Sequence, residues 1–154
     1  MLEVKCVYIG KLKQDFTIRG CEHYRKKISG FYPLRETEIK DQSCRDKKQK
    51  ISREAKELLS RIEKKDFLIL LSEHGKSLDT EKFASRFSSW LEMPGRRPCF
   101  AVAGPYGVDQ QLIQQADFLL SLSPLTFPHE LARVMLLEQI FRAATIIRNF
   151  PYHN

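Results

Sequence analysis

No stretch of this 154-residue chain approaches the roughly 20 consecutive apolar residues of a bilayer-spanning helix, so no membrane span is expected. The start, Met1-Leu2-Glu3-Val4-Lys5, alternates charged with apolar residues and reads as a strand rather than a secretory leader. Cytoplasmic residence is the expectation. Cysteine is sparse: Cys6, Cys21, Cys44 and Cys99 form no Cys-x-x-Cys pair, which excludes a zinc ribbon and a thioredoxin-type dithiol. Cys6 and Cys99 fall inside strand patterns and read as small core residues. His23, His74, His129 and His153 also lack ligand spacing, and no metal is expected. The dinucleotide fingerprint Gly-x-Gly-x-x-Gly is missing, since Gly10 stands alone after the first strand, and no P-loop pattern occurs. A ligand gripped by its phosphates is therefore disfavoured against one held by backbone and apolar contacts. Aromatic and basic residues do not interleave as in an RNP motif.

What is abundant is positive charge, and it is unevenly placed. The formal net charge is +7, yet residues 1–65 hold 18 Lys and Arg against 10 Asp and Glu, while residues 66–154 hold 8 against 9. A basic N-terminal half suits a polyanionic partner bound in a salt-sensitive way, although a solvated helix face explains the same charge.

Strand and helix patterns alternate along the chain. Leu2–Ile9 reads as a strand, Thr17–Ile28 as a helix stopped near Gly30 and Pro33, and the polar Leu34–Ile39 as a strand near a sheet edge. Between Lys47 and Lys64, Ile51, Ala55, Leu58, Leu59 and Ile62 form one apolar helical face opposite a basic one. Phe67–Leu71 is an apolar run fit for a strand covered on both faces, and Ser72–Asp79 reads as a loop. Asp79 or Thr80 then caps a helix that buries Phe83, Phe87, Trp90 and Leu91 and ends at Pro94-Gly95. Cys99–Ala103 and Phe118–Leu122 are further strands around a short helix at Gln110–Gln115, and a long helix follows from about His129 to Arg148. This order predicts one α/β domain: a mostly parallel sheet with helices on both faces.

Ligands of such sheets gather outside the carboxyl ends of the strands. Three loops leave those ends, Leu71–Gly75, Ala103–Gly107 and Leu122–Pro128. The second carries Gly104-Pro105-x-Gly107, whose glycines would let a ligand approach the backbone. The third, Ser123-Pro124-Leu125-Thr126-Phe127-Pro128, is stiffened by two prolines and offers backbone groups to a flat heterocycle.

The sequence becomes specific in its C-terminal third. Ala103-Gly-Pro-Tyr-Gly107, Leu120-Ser-Leu-Ser123, Leu125-Thr-Phe-Pro-His129, Arg133-Val134, Glu138-Gln139, Phe141-Arg142-Ala143 and Pro151-Tyr-His153 closely resemble the ribosomal large subunit methyltransferase H family of the SPOUT class. That resemblance implies a C-terminal trefoil knot, S-adenosylmethionine bound within it, and a homodimer. It also implies methylation of N3 of a pseudouridine in helix 69 of 23S rRNA, on the assembled ribosome. Carried over by position, the cofactor contacts would be Leu71, Gly104, Ser123, Pro124, Leu125, Thr126, Phe127 and Pro128. Two positions depart from the family pattern: Tyr106 stands where a carboxylate is common and is given no catalytic role, and Asn154 follows Pro-Tyr-His in place of a basic residue.

Methyl transfer needs alignment and the removal of one proton, and His129, Arg142, Tyr152 and His153 are the candidates to handle the substrate base. Each has a plainer reading: a capping His129, an i,i+4 ion pair between Glu138 and Arg142, and a frayed tail for Tyr152 and His153. The long helix is apolar nearly all round, which calls for a second partner, most simply a two-fold copy. The rival readings are a non-catalytic ribosome-binding factor of this fold and a methyltransferase of another RNA, such as tRNA.

Overall fold

A computed structural model describes residues 2–42 and 44–152. In chain order it contains β1 (Val4–Ile9), α1 (Asp15–Ser29), β2 (Leu34–Ile39), α2 (Lys47–Ser60), β3 (Asp66–Ser77), α3 (Thr80–Leu91), β4 (Arg97–Val102), α4 (Gln110–Gln115), β5 (Phe118–Ser121) and α5 (His129–Ile147). The strands form one parallel sheet in the order β2-β1-β4-β3-β5. The polar β2 lies at one edge, as its composition requires, β5 lies at the other, and β1, β4 and β3 lie between them.

Alternation along each strand sends successive side chains to opposite faces. Cys6 and Tyr8 of β1 join Ile69, Phe100 and Leu120 in a core covered by α1, α3 and α5. Val7 and Ile9 join Leu68, Leu70, Cys99 and Ala101 in a second core under α2 and α4. Helices thus cover both faces. Asp79 is the cap of α3, its carboxylate accepting the Lys82 N–H at 2.8 Å.

The two ends of the sheet differ in chemistry. At the amino ends, buried Asp66 joins Lys5 at 2.7 Å and Arg97 at 2.6 Å, and Arg97 also meets Glu3. Burial alone would raise the Asp66 carboxyl, but Lys5, the Glu63 N–H and Arg97 together hold it below its usual range. This end is sealed. The carboxyl ends are open, and there the chain departs from expectation.

Residues 72–79 were expected as a loop, yet β3 runs on to Ser77. Leu71 and Lys76 both pair with Leu120 of β5, so residues 72–75 leave the ladder and return to it. The return depends on Gly75: a Cβ there would lie 2.7 Å from the Leu119 carbonyl carbon and oxygen. The excursion is therefore a strand feature, set by pairing with a distant partner.

The second correction concerns α5. One sheet face alone could not cover it, but α1 and α3 flank it as well. Leu136, Leu137, Ile140, Phe141, Ala143 and Ala144 are all buried within the chain. Ile140 and Phe141 are thus core residues rather than a free surface, and in its first two turns Leu131, Val134 and Met135 stay half-buried. Polar contacts fix where α5 begins. Buried Glu130 accepts the Lys13 N–H at 2.7 Å, the Gln14 N–H at 3.1 Å and the Thr17 hydroxyl at 2.9 Å. Arg133, 2% exposed, donates to the Gly10 carbonyl and to Glu38, and its guanidinium lies 3.8 Å over the Tyr8 ring.

Candidate functional site

Outside the carboxyl ends of β3, β4 and β5 lies a cavity of about 880 Å³. Its wall is built from the three expected loops: Leu71 to His74, Ala103 to Val108, and Leu122 to His129. Of the expected cofactor contacts, Leu71, Gly104, Ser123, Leu125, Thr126, Phe127 and Pro128 line it, while Pro124 is exposed and does not. Val102, Ile113 and Ala132 add apolar wall that sequence reading did not single out.

The loops hold each other. The Thr126 hydroxyl donates to Glu73 Oε2 at 2.7 Å, tying the third loop to the excursion in β3. Within the third loop, the Ser121 hydroxyl donates to the Ser123 carbonyl at 2.9 Å, and the Leu125 N–H donates to the Ser123 hydroxyl at 3.0 Å. Leu125 is left 70% exposed, an apolar side chain at the cavity mouth that no described residue covers. Among the described residues no phosphate-cradling glycine loop contributes, and the polar side chains lining the space include the hydroxyls of Ser72, Tyr106, Ser123 and Thr126 and the imidazoles of His74 and His129.

Gly104 lines the cavity for a reason other than the one expected. A Cβ at this position would point away from the open space, 3.2 Å from Glu54 Oε1 and 3.4 Å from Ile9 Cγ2. Its smallness makes room for the protein's own interior. Gly107, at φ +108°, is the residue that needs glycine's conformational freedom in this bend.

Glu54 is the residue that sequence reading missed. It sits on α2, 3% exposed, with Oε2 lacking any hydrogen-bond partner. Burial pushes its carboxyl up to about 7, and the Asp41 carboxylate adds to the push. Asp41 itself is held low, first by Lys50, whose ammonium lies 2.9 Å away. A carboxyl whose folded-state value exceeds its ordinary 4.5 stabilises fully below that value and loses its contribution as pH rises toward 7. The lowered Asp41, Asp66 and Glu130 lose theirs only in acid, outside this window. Glu54→Gln should therefore be more heat-stable than the wild type at pH 8, with the gap closing by pH 5. Parallel melting curves for the two proteins across that range would rule this out.

Of the candidate base-handling residues, His129 does not meet Arg142 and Tyr152 within one chain. His129 lines the cavity at the first position of α5. Arg142 lies thirteen residues on, about 20 Å along the axis at 1.5 Å per residue. There it makes the plain i,i+4 ion pair, its Nε 2.7 Å from Glu138 Oε1. It does one thing more: its guanidinium stands 4.8 Å over the ring of Tyr152. Tyr152 is half-buried, edge-on to Phe141 at 4.7 Å, so the tail is docked at this point rather than frayed. His153 lies outside the described residues. The structure thus joins Arg142 with Tyr152 and sets both apart from His129.

Among the described residues no helix is long and apolar enough to cross a membrane. Comparison with known proteins agrees with the fold. Residues 2–153 match the model of a family described as predicted SPOUT methyltransferase. The chain is 41% identical to the ribosomal RNA large subunit methyltransferase H of Maridesulfovibrio salexigens, covering 100% of this chain and 99% of that protein. It is 39% identical to the protein of the same name from Pseudothermotoga lettingae, with 99% of each covered. Among solved structures, a probable methylase family protein from Haemophilus influenzae Rd KW20 superposes with a TM-score of 0.53 at 13% identity, over 97% of this chain and 67% of that one, a likeness of fold. The chain belongs to the SPOUT methyltransferases, in the ribosomal RNA large subunit methyltransferase H family.

Proposed function

We propose that this chain is a cytoplasmic homodimer that transfers a methyl group from S-adenosylmethionine to N3 of a pseudouridine in helix 69 of 23S rRNA, in the assembled ribosome. The observation that carries this reading is the cavity at the carboxyl ends of β3, β4 and β5, walled by Leu71, the Gly104–Gly107 bend and the Ser123–Pro128 loop. Its fit to the cofactor is chemical. S-Adenosylmethionine has no phosphates, a flat adenine and an amino-acid tail, and this space offers apolar wall, backbone groups and hydroxyls with no phosphate cradle. Leu71, Phe127 and Ile113 would enclose the adenosine, and backbone of residues 103–107 and 122–128 would satisfy its polar edge. The bound sulfonium supplies an activated methyl carbon. A C-terminal knot through these loops belongs to the same reading.

The protein's own part is to orient the base and take up one proton. His129 stands at the cavity wall, within reach of a base presented there. Arg142 sits about 20 Å along α5 from His129, with Tyr152 against it, and this separation favours a site completed by a second copy. In a two-fold arrangement one subunit's tail covers the other's cavity, with Tyr152 offering a stacking ring and His153 a titratable group at N3. The exposed Leu125 and half-buried Leu131 and Met135 give such a copy apolar surface beside the cavity.

Calorimetry and light scattering test the two halves of this reading. The wild type should bind one S-adenosylmethionine per subunit and run as a dimer at micromolar concentration. A chain that binds ribosomes but not S-adenosylmethionine would be a non-catalytic factor. A monomer would remove the shared site.

A further inference from the structure

The aromatic–basic combination that is missing from the linear sequence is created by the fold. Tyr106, on the cavity wall, is 49% exposed. Lys50 and Lys47, from the first turn of α2, bring their ammonium groups to 4.8 Å and 5.4 Å from its ring centroid. We propose that Tyr106 with Lys47 and Lys50 forms a nucleotide-docking platform at the mouth of the cavity, which holds an unstacked nucleotide of the RNA substrate next to the base being methylated. This deepens the RNA methyltransferase reading and rests on it.

Three features favour a nucleotide of RNA over the methyl donor as the occupant. The donor is a net cation, its sulfonium and ammonium outweighing its one carboxylate, and gains less beside two ammonium groups than a phosphate does. Lys50 is fixed by its pair with Asp41 at 2.9 Å and stiffens the platform, while the exposed Lys47 retains donors for a phosphate oxygen. The patch also continues into the basic face of α2 through the exposed Lys48, the direction from which a polyanion would arrive. A carboxylate at position 106 would pair with these lysines; a tyrosine leaves their charge available and adds a flat ring on which any base can stack.

The experiment is steady-state methylation of ribosomes, paired with filter binding of ribosomes in the absence of methyl donor and with calorimetry of S-adenosylmethionine. Loss of one stacked base should make Tyr106→Ala raise the apparent KM for ribosomes, and the Kd in filter binding, by roughly 10-fold. The S-adenosylmethionine Kd should move by much less than the ribosome Kd. Tyr106→Phe, which keeps the ring, should restore KM, and Lys47→Ala should weaken ribosome binding and lessen its salt dependence. The platform is refuted if Tyr106→Ala leaves ribosome KM and Kd within about twofold, or weakens S-adenosylmethionine instead, which would mean the ring stacks on the donor. A wild type that binds ribosomes without methylating them would fail the catalytic reading, while the filter-binding comparison would still decide the platform.

Discussion

Gly75→Ala should cost the protein about 2–4 kcal/mol of stability, the size expected when overpacking meets backbone rather than a yielding side chain. A single added methyl would lie 2.7 Å from the carbonyl carbon and oxygen of Leu119 and 2.9 Å from the carbonyl carbon of Leu120. Neither can rotate away. To admit it, β3 must move off β5, and β5 is an edge strand paired only with β3. The excursion of residues 72–75 would shift with it, carrying Glu73 away from Thr126 and opening one wall of the cavity. Thermal denaturation should show a fall of about 5–15 °C, with S-adenosylmethionine binding weakened in parallel. A midpoint within about 2 °C of wild type would mean the excursion re-forms easily, and that its geometry does not define the site.

The second large effect is expected at the tail, and its signature is the reverse: activity lost with the fold retained. Tyr152 docks on Phe141 and under the Arg142 guanidinium, but it is half-buried and follows the exposed Phe150 and Pro151. Removing residues 151–154 should cost little stability and leave the oligomeric state unchanged. Methylation of ribosomes should nonetheless fall by about 100-fold or more, the range lost with a base-handling group. S-Adenosylmethionine binding should weaken only modestly. His153→Ala should match the deletion if His153 takes the N3 proton, and fall short of it if the residue only orients the base. A truncated protein working within a few-fold of the wild-type rate would return that task to His129, the candidate already at the cavity.

Much of this arrangement can be read from the residues, because the signals involved are local. Apolar runs and caps marked β4, α3 and α4 within a residue or two, and the polar composition of Leu34–Ile39 placed β2 at an edge. The strand-end loops marked the cavity, since parallel α/β sheets put ligands there. What escaped depends on distant partners. Residues 72–77 have no period and become strand only through pairing with β5. The covering of α5 requires both α1 and α3, which no single-helix pattern reveals. Glu54 left a trace that could have been followed. It lies three residues after Ile51 and four before Leu58, on the apolar stripe of α2, where a carboxyl has to be buried. The meeting of Tyr106 with Lys47 and Lys50 spans more than fifty residues and has no linear signature.

The central claim is methyl transfer to ribosomal RNA, and the most direct measurement uses ribosomes that lack the modification. They would be incubated with the purified protein and isotope-labelled S-adenosylmethionine, and the 23S rRNA digested and mapped by mass spectrometry. One labelled methyl group per ribosome is expected, on N3 of a pseudouridine in helix 69, and none on free tRNA. Label appearing on tRNA, or no incorporation into ribosomes by a protein that binds S-adenosylmethionine, would contradict it.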